Sequence, residues 1–253
     1  MVKKKILIPL PRYGCDPSEV AIPWLLLSEK QIEITFITPD GNVAVTDEIM
    51  LTGIKLGLLK PILQARQDAV NAFNEMVKSA AFNNPLQYTD VKAEDFDGLL
   101  LPGGHDKGVK EYLESNVLQK LVVDFFNENK PVAAVCHGVL IPARSIDPQT
   151  KQSVIYDYKC TGLLKRQELT AYHLTRLWLA DYYLTYPETT TEDELLKSLA
   201  CKTQFIEGSL PLLRDDLQHL SRGFIVRDRN YLSARWPGDI YNFSLAFIEM
   251  LTD

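Results

Sequence analysis

A cysteine between a run of small apolar residues and a glycine is the strongest chemical signal in this 253-residue chain. Residues 131–135 (PVAAV) resemble a buried strand, and Cys136 follows directly, with Gly138 two residues later. The pattern predicts a nucleophile elbow in which Gly138 lets the backbone turn tightly and approach a substrate. The sulfur would lie at the carboxyl end of a parallel strand and beside a helix N-terminus, which lowers a thiol pKa. The alternative is a buried structural cysteine.

A histidine and a second glycine-rich turn could serve this sulfur. His137 follows Cys136 and could act as its base or cationic partner, whereas the alternative is a polar loop or helix-capping residue. Gly103 and Gly104 follow an apolar strand, and their backbone N–H groups are the kind of donor that an oxyanion hole requires. His105, the next residue, could face the same pocket.

A carboxyl group is expected at the same edge of the sheet. Glu19 follows the loop after the first strand, near a helix start, where an acid also suits the helix dipole. Beside a thiolate its pKa would be raised, because like charges resist joint ionisation. The histidines show no metal-ligand spacing, and we expect neither a metal nor a cofactor.

Alternating apolar strands and helical patterns must position these residues. Strands are predicted at 5–10, 33–38, 96–101, 131–135, 153–159, 223–227 and 231–235. Helices are predicted at 19–30, 67–80, 110–129, from the elbow to about 144, and at 165–183, 192–200 and 239–251. Such alternation is typical of βαβ units and a mainly parallel sheet covered on both faces. We expect one domain over residues 1–253, with insertions at about 41–95 and 151–220.

Composition narrows the class of protein. Hydrophobic residues make up 46% of the chain, which is typical of a globular protein, and the net charge of −6 argues against a nucleic-acid surface. No stretch approaches the roughly 20 apolar residues of a membrane helix, and no export signal is visible. The four cysteines form no CxxC pair. We therefore expect free thiols and a cytoplasmic location.

Several motifs in order resemble a known family. They are GCDPSE at 14–19, TPDG at 38–41, DGLLLPGGH at 97–105, AVCHG at 134–138, and Thr161-Gly162 leading toward Glu168. At these residues the sequence resembles the ThiJ/PfpI family of the class I glutamine amidotransferase-like superfamily. The length and the insertions are most similar to the branch that includes stress-induced chaperones and glutathione-independent glyoxalases.

The resemblance implies a fold and a set of roles. The fold is a flavodoxin-like three-layer sandwich with a mainly parallel central sheet and helical insertions, often a homodimer. Cys136 would be the nucleophile, with Glu19 beside its sulfur and His137 completing a Cys–His pair. Glu168 would orient that histidine, and the N–H groups of Gly104 and His137 would form the oxyanion hole. From the residues alone, Glu168 lies in a charged stretch and a surface position is the default.

Three functions are compatible with these residues. The favoured one is a cysteine-dependent enzyme acting on a small reactive carbonyl, which converts methylglyoxal to lactate without a cofactor. The second is an amidase or peptidase that uses a Cys–His–Glu set on an amide substrate. The third is a stress chaperone or a redox sensor. Residues 233–239 (SARWPGD) and the aromatic segment 172–187 depart from the glyoxalase-like pattern, so the substrate stays open.

Overall fold

The structure, a computed structural model, describes residues 3–252 and is built around a seven-stranded sheet. The strands are β1 (Lys5–Pro9), β2 (Tyr13–Cys15), β3 (Glu33–Thr38), β4 (Val45–Thr46), β5 (Leu86–Gln87), β6 (Gly98–Leu101), β7 (Val132–Val135), β8 (Ile225–Asp228) and β9 (Tyr231–Ala234). The sheet order is β5-β3-β1-β6-β7-β9-β8, and all neighbours are parallel except the β8–β9 hairpin. Strands β2 and β4 form a separate parallel pair.

Eleven helices are assigned within the described residues. They are α1 (Pro17–Glu29), α2 (Glu48–Thr52), α3 (Lys60–Leu63), α4 (Gln67–Met76), α5 (Ala80–Asn83), α6 (Lys110–Leu113), α7 (Asn116–Asn127), α8 (Leu140–Arg144), α9 (Lys165–Leu179), α10 (Thr191–Ser198) and α11 (Ile240–Thr252). No helix within residues 3–252 has the length and apolar character needed to cross a bilayer.

Both faces of the sheet are buried at its centre, where β6 and β7 are apolar throughout. In β7, Ala133 and Val135 pack in the cluster that contains α1, α4 and α11, whereas Val132 and Ala134 pack in the cluster that contains α6, α7 and α8. Successive side chains of a strand point to opposite faces, so one strand contributes to two cores. The α/β three-layer sandwich is therefore confirmed.

The site edge of the sheet follows from the connections. Helix α1 joins β1 to β3 on one face, whereas α7 joins β6 to β7 on the other. The direction of the connections thus reverses between β1 and β6. Open α/β sheets bind ligands at such a reversal, outside the carboxyl ends of the strands.

Two predicted elements are wrong. The predicted helix at 110–129 is two helices, because the chain leaves helical geometry at Glu114 and Ser115 caps a new one through its side-chain oxygen and the Leu118 N–H. The predicted strand at 153–159 is absent from the described chain. Its backbone winds through turns instead: the N–H of Tyr156 donates to the carbonyl three residues earlier, and that of Tyr158 does the same.

Candidate active site

The predicted turn after β7 is present. Cys136 has φ 56°, a left-handed conformation that costs energy for a residue with a side chain. A tight turn over Cys136–Val139 leads into α8. A Cβ on Gly138 would lie 2.3 Å from the Leu101 carbonyl oxygen, so only glycine lets the turn approach the end of β6 so closely.

Burial has the largest effect on the thiol pKa of Cys136. The residue is 1% exposed, and burial, followed by the nearby charge of Glu19, raises its pKa well above the usual value. The N–H of His137 acts in the opposite direction but does not prevail. The expected net lowering of this pKa is therefore wrong, because burial outweighs the backbone N–H at the turn. The following helix, α8, has only five residues, and its dipole is correspondingly small.

Glu19 is held beside this sulfur by the start of α1. Asp16 caps the helix through its carboxylate, which accepts from the Ser18 and Glu19 N–H groups at 2.7 and 3.2 Å, and Pro17 occupies the first turn. The cap directs Glu19 inward, where it is 0% exposed. Burial, reinforced by the Asp16 charge, raises the Glu19 pKa well above its ordinary value. The pKa is raised as predicted, but the predicted cause is wrong: burial and Asp16 raise it, whereas a hydrogen bond with Cys136 lowers it.

The glycine turn after β6 also holds the Glu19 carboxyl group in place. The Gly103 N–H donates to Glu19 Oε2 at 2.8 Å, while the other carboxyl oxygen, Oε1, has no hydrogen-bond partner among the described residues. Gly103 therefore positions the acid, and its N–H is not free for the oxyanion role considered above. A Cβ on Gly104 would lie 2.3 Å from the Gly14 carbonyl oxygen, so the turn after β6 also meets the backbone of β2 closely.

The two ring nitrogens of His137 face different partners: Nδ1 faces the Cys136 sulfur and Nε2 faces Glu168. The separation is 3.5 Å from Cys136 Sγ to His137 Nδ1 and 3.9 Å from His137 Nε2 to Glu168 Oε1. Burial lowers the His137 pKa well below its usual value, and burial raises that of Glu168 to about 7. Glu168 is 1% exposed because α9 docks against the start of α10, where the Thr191 N–H donates to Glu168 Oε2 at 3.1 Å. A surface position, the default from the residues alone, is excluded.

His105 faces the same site. Its ring packs edge-on against His137, with centroids 5.2 Å apart, and against Tyr183 at 5.0 Å. Burial lowers the His105 pKa to about 4, so the ring is neutral at physiological pH. Sequence reasoning named neither Tyr183 nor Asp16 as a site residue. The Asp16-Pro17 pair carried a usable signal, because it is typical of a helix start.

The family follows from the comparison of sequences. Residues 10–195 match the family model described as ThiJ/PfpI family-like. The chain belongs to this family. ThiJ/PfpI relatives include a deglycase of Thermococcus kodakarensis, 25% identical over 67% of this chain and 70% of that protein. Another is glyoxalase 3 of Candida albicans, 28% identical over 57% of each chain.

The similarity to known proteins is partial in sequence but extends over nearly the whole chain in structure. The chain spans half the length of an uncharacterized Schizosaccharomyces pombe protein to which it is 29% identical. The crystal structure of glyoxalase III from Candida albicans superposes with a TM-score of 0.71 and 19% identity over 98% of this chain and 97% of that one. Drosophila melanogaster DJ-1beta gives 0.57 with 17% identity over 99% and 91%. These ThiJ/PfpI-type structures confirm the fold.

Replacing Glu168 by glutamine is expected to change how stability depends on pH. A carboxyl group whose folded pKa is raised contributes stability below its unfolded pKa of 4.5, and that stability is lost as the pH rises through about 7. Ionisation of Glu168 should remove about 2 kcal/mol of unfolding free energy between about pH 5 and about pH 8, and glutamine cannot ionise. Urea unfolding at both pH values should therefore show a smaller fall for Glu168→Gln.

The exposed Glu29 provides the control, because Glu29→Gln should keep the wild-type pH dependence. An identical fall in wild type and Glu168→Gln would show that Glu168 titrates normally in the folded protein.

Proposed function

We propose that this protein converts methylglyoxal to lactate through Cys136, with water as the only co-reactant. The observation that carries the proposal is the buried carboxyl group of Glu19, held against the elbow sulfur with one oxygen unpartnered among the described residues. The names of two relatives, a glyoxalase 3 and a deglycase, support a carbonyl substrate.

Addition to the aldehyde uses His137. Its Nδ1 faces the sulfur at 3.5 Å, and the lowered pKa leaves the ring neutral, so it can accept the thiol proton. The sulfur bonds to the aldehyde carbon C1, and the carbonyl electron pair moves to oxygen. The alkoxide then takes the proton from His137 and becomes a hemithioacetal. We assign stabilisation of the alkoxide to the N–H groups of Gly104 and His137, on the turns that flank the sulfur.

The proton shift between adjacent carbons uses Glu19. As a carboxylate, it removes the C1 proton to give an enediolate with its charge on the C2 oxygen. As an acid, it returns that proton to C2, while the hydroxyl proton on the C1 oxygen passes to the C2 oxygen. C1 is thereby oxidised to a thioester and C2 is reduced to a secondary alcohol, so no external electron acceptor takes part. Water attacks the thioester, the sulfur leaves with a proton, and lactate is released. The raised pKa of Glu19 favours its protonated form, which is the form that returns the proton to C2.

The geometry supports an amidase less well. Amide cleavage needs a charged histidine that protonates the leaving amine, and a carboxylate hydrogen-bonded to it. Here the 3.9 Å from His137 Nε2 to Glu168 Oε1 exceeds hydrogen-bond distance, so the carboxylate that would stabilise a charged histidine is not bonded to it. A chaperone activity would be independent of Cys136.

The decisive assay follows lactate formed from methylglyoxal deuterated at C1, without glutathione. We expect one lactate per methylglyoxal consumed and deuterium at C2 above the level left by solvent exchange. Heat-denatured protein supplies the background. If the native protein forms no lactate above that background, the glyoxalase proposal is wrong; an acyl-enzyme burst with activated esters would then favour the hydrolase.

A further inference from the structure

A cavity of about 410 Å³ lies over the Asp16 and His105 side of the candidate active site. Its walls come from separate parts of the chain: the 50–63 segment, helix α9, the 210–214 segment and the turn after β9. Most of the lining is apolar and includes Met50, Leu63, Leu163, Ala171, Leu174 and Trp236. Two of the contributing segments are those whose sequence departs from the glyoxalase-like pattern.

The cavity is large for a three-carbon aldehyde. Small-molecule sites of about 300–1,000 Å³ hold drug-sized ligands. One water occupies about 30 Å³ of liquid, so this space holds the equivalent of roughly fourteen waters, several times the volume of methylglyoxal. A three-carbon substrate bound next to Asp16 and His105 would leave the apolar walls of the cavity in contact with water.

The charged side chains of the lining already have protein partners. The guanidinium of Arg166 lies 3.5 Å from the Glu207 carboxylate. Arg214 donates to the Ile62 carbonyl oxygen at 2.9 Å and lies over the Trp236 ring, 5.6 Å from its centroid. The cavity therefore offers a ligand mainly apolar surface. It also offers three buried polar atoms that have no hydrogen-bond partner among the described residues: His105 Nδ1, the Tyr183 hydroxyl and Trp236 Nε1.

Exposed apolar residues extend this surface to the mouth of the cavity. Ile62, Leu174 and Leu212 all line it, yet their side chains are largely open to solvent. When an elongated ligand binds, these large apolar side chains would contact its far end and would be shielded from water.

We propose that the preferred substrate is a 2-oxoaldehyde with an apolar substituent of about four to six carbons, rather than methylglyoxal. The inference rests on the proposed function, since it keeps the same bond changes: addition of Cys136 to the aldehyde, proton transfer from C1 to C2, and hydrolysis to a 2-hydroxy acid. The substituent lies along α9 and gains affinity by desolvating the cavity walls.

The test compares kcat/KM for methylglyoxal, 2-oxohexanal and 2-oxooctanal. A buried methylene contributes a factor of about four in binding, so 2-oxohexanal should exceed methylglyoxal by at least about 30-fold. Equal or lower kcat/KM for the longer substrates would overturn this inference and leave the glyoxalase proposal intact. Absence of turnover with all three would overturn the glyoxalase proposal itself.

A matched pair of substitutions on α9 locates the effect. Leu174 lines the cavity and is 53% exposed, whereas Leu177 is 90% exposed and is not part of the lining. We expect Leu174→Asn to lower kcat/KM for 2-oxooctanal by about 5-fold or more and to spare methylglyoxal. Leu177→Asn should change neither. Equal effects of the two variants on 2-oxooctanal would overturn the placement of the substituent.

A substitution that fills the cavity should also lower activity on the long substrate. Ala171→Phe should reduce kcat/KM for 2-oxooctanal by about 10-fold or more, because a ring would occupy the path of the substituent. Methylglyoxal turnover should persist, which also shows that the variant is folded. If the variant keeps wild-type activity on 2-oxooctanal, the substrate does not enter this cavity.

Discussion

Lactate formation should be nearly abolished in Cys136→Ala, with kcat/KM for methylglyoxal lowered by about 10⁴-fold or more, because alanine cannot form the proposed covalent intermediate. Alanine retains the Cβ and so tolerates φ 56° no worse than cysteine does. The turn, the Gly138 contact with the end of β6 and the Glu19 hydrogen bond from Gly103 should all persist. The loss of activity would then report chemistry rather than unfolding.

Cys160 offers a matched control for this substitution. It is also fully buried, and burial raises its thiol pKa to about 12, but it lies outside the candidate site. Cys160→Ala removes a buried thiol and should keep wild-type kcat/KM while lowering the unfolding free energy. Turnover that survives in Cys136→Ala would disprove covalent catalysis by this residue. Aggregation suppression that survives there would instead indicate a separate chaperone activity.

The elements that carry the catalytic turns could be predicted because their signals are local. The apolar runs that end at Leu101 and Val135 are each followed by a glycine within three residues. In each case the strand signal and the turn signal are therefore neighbours in the sequence. The order of strands along the chain then places both ends at one edge of the sheet. Sequence periodicity and turn chemistry suffice for such features.

The features that were not predicted depend on contacts between distant segments. The burial of Glu168 requires α10 to bring the Thr191 N–H against it, and nothing in the charged stretch around Glu168 encodes that contact. The raised thiol pKa of Cys136 has the same origin, because the desolvation that raises it comes from surrounding segments. The expectation that Glu168 orients His137 came from the resemblance to the ThiJ/PfpI family and not from local reasoning.

The single helix predicted at 110–129 was wrong for a related reason. The pattern over 110–129 has one helical period, but the side chain of Ser115 competes for the backbone and starts a second helix. A serine inside a periodic stretch is compatible with either outcome. Here the Ser115 cap determines the structure, although the helical periodicity continues across it.

Glu19→Gln should lower kcat/KM for methylglyoxal by about 10²- to 10⁴-fold. Glutamine can still accept the Gly103 N–H through its amide oxygen, so the turns stay in place, but an amide cannot carry a proton from C1 to C2. Wild-type activity requires the carboxylate and should fall as the pH drops through the raised Glu19 pKa. The residual activity of the variant should lack this acid limb, which a pH profile of kcat/KM would show.

The same substitution should have the opposite effect on thiol reactivity. The Glu19 charge contributes to the raised pKa of Cys136, and glutamine removes that charge. A larger fraction of thiolate at a given pH should therefore speed alkylation of Cys136 by iodoacetamide, followed by mass spectrometry with the exposed Cys201 as the internal reference. Slower turnover with faster alkylation separates proton transfer from loss of structure, because a damaged site would not produce that combination. Unchanged turnover in Glu19→Gln would remove the carboxyl group from the mechanism and leave His137 as the group that moves the proton.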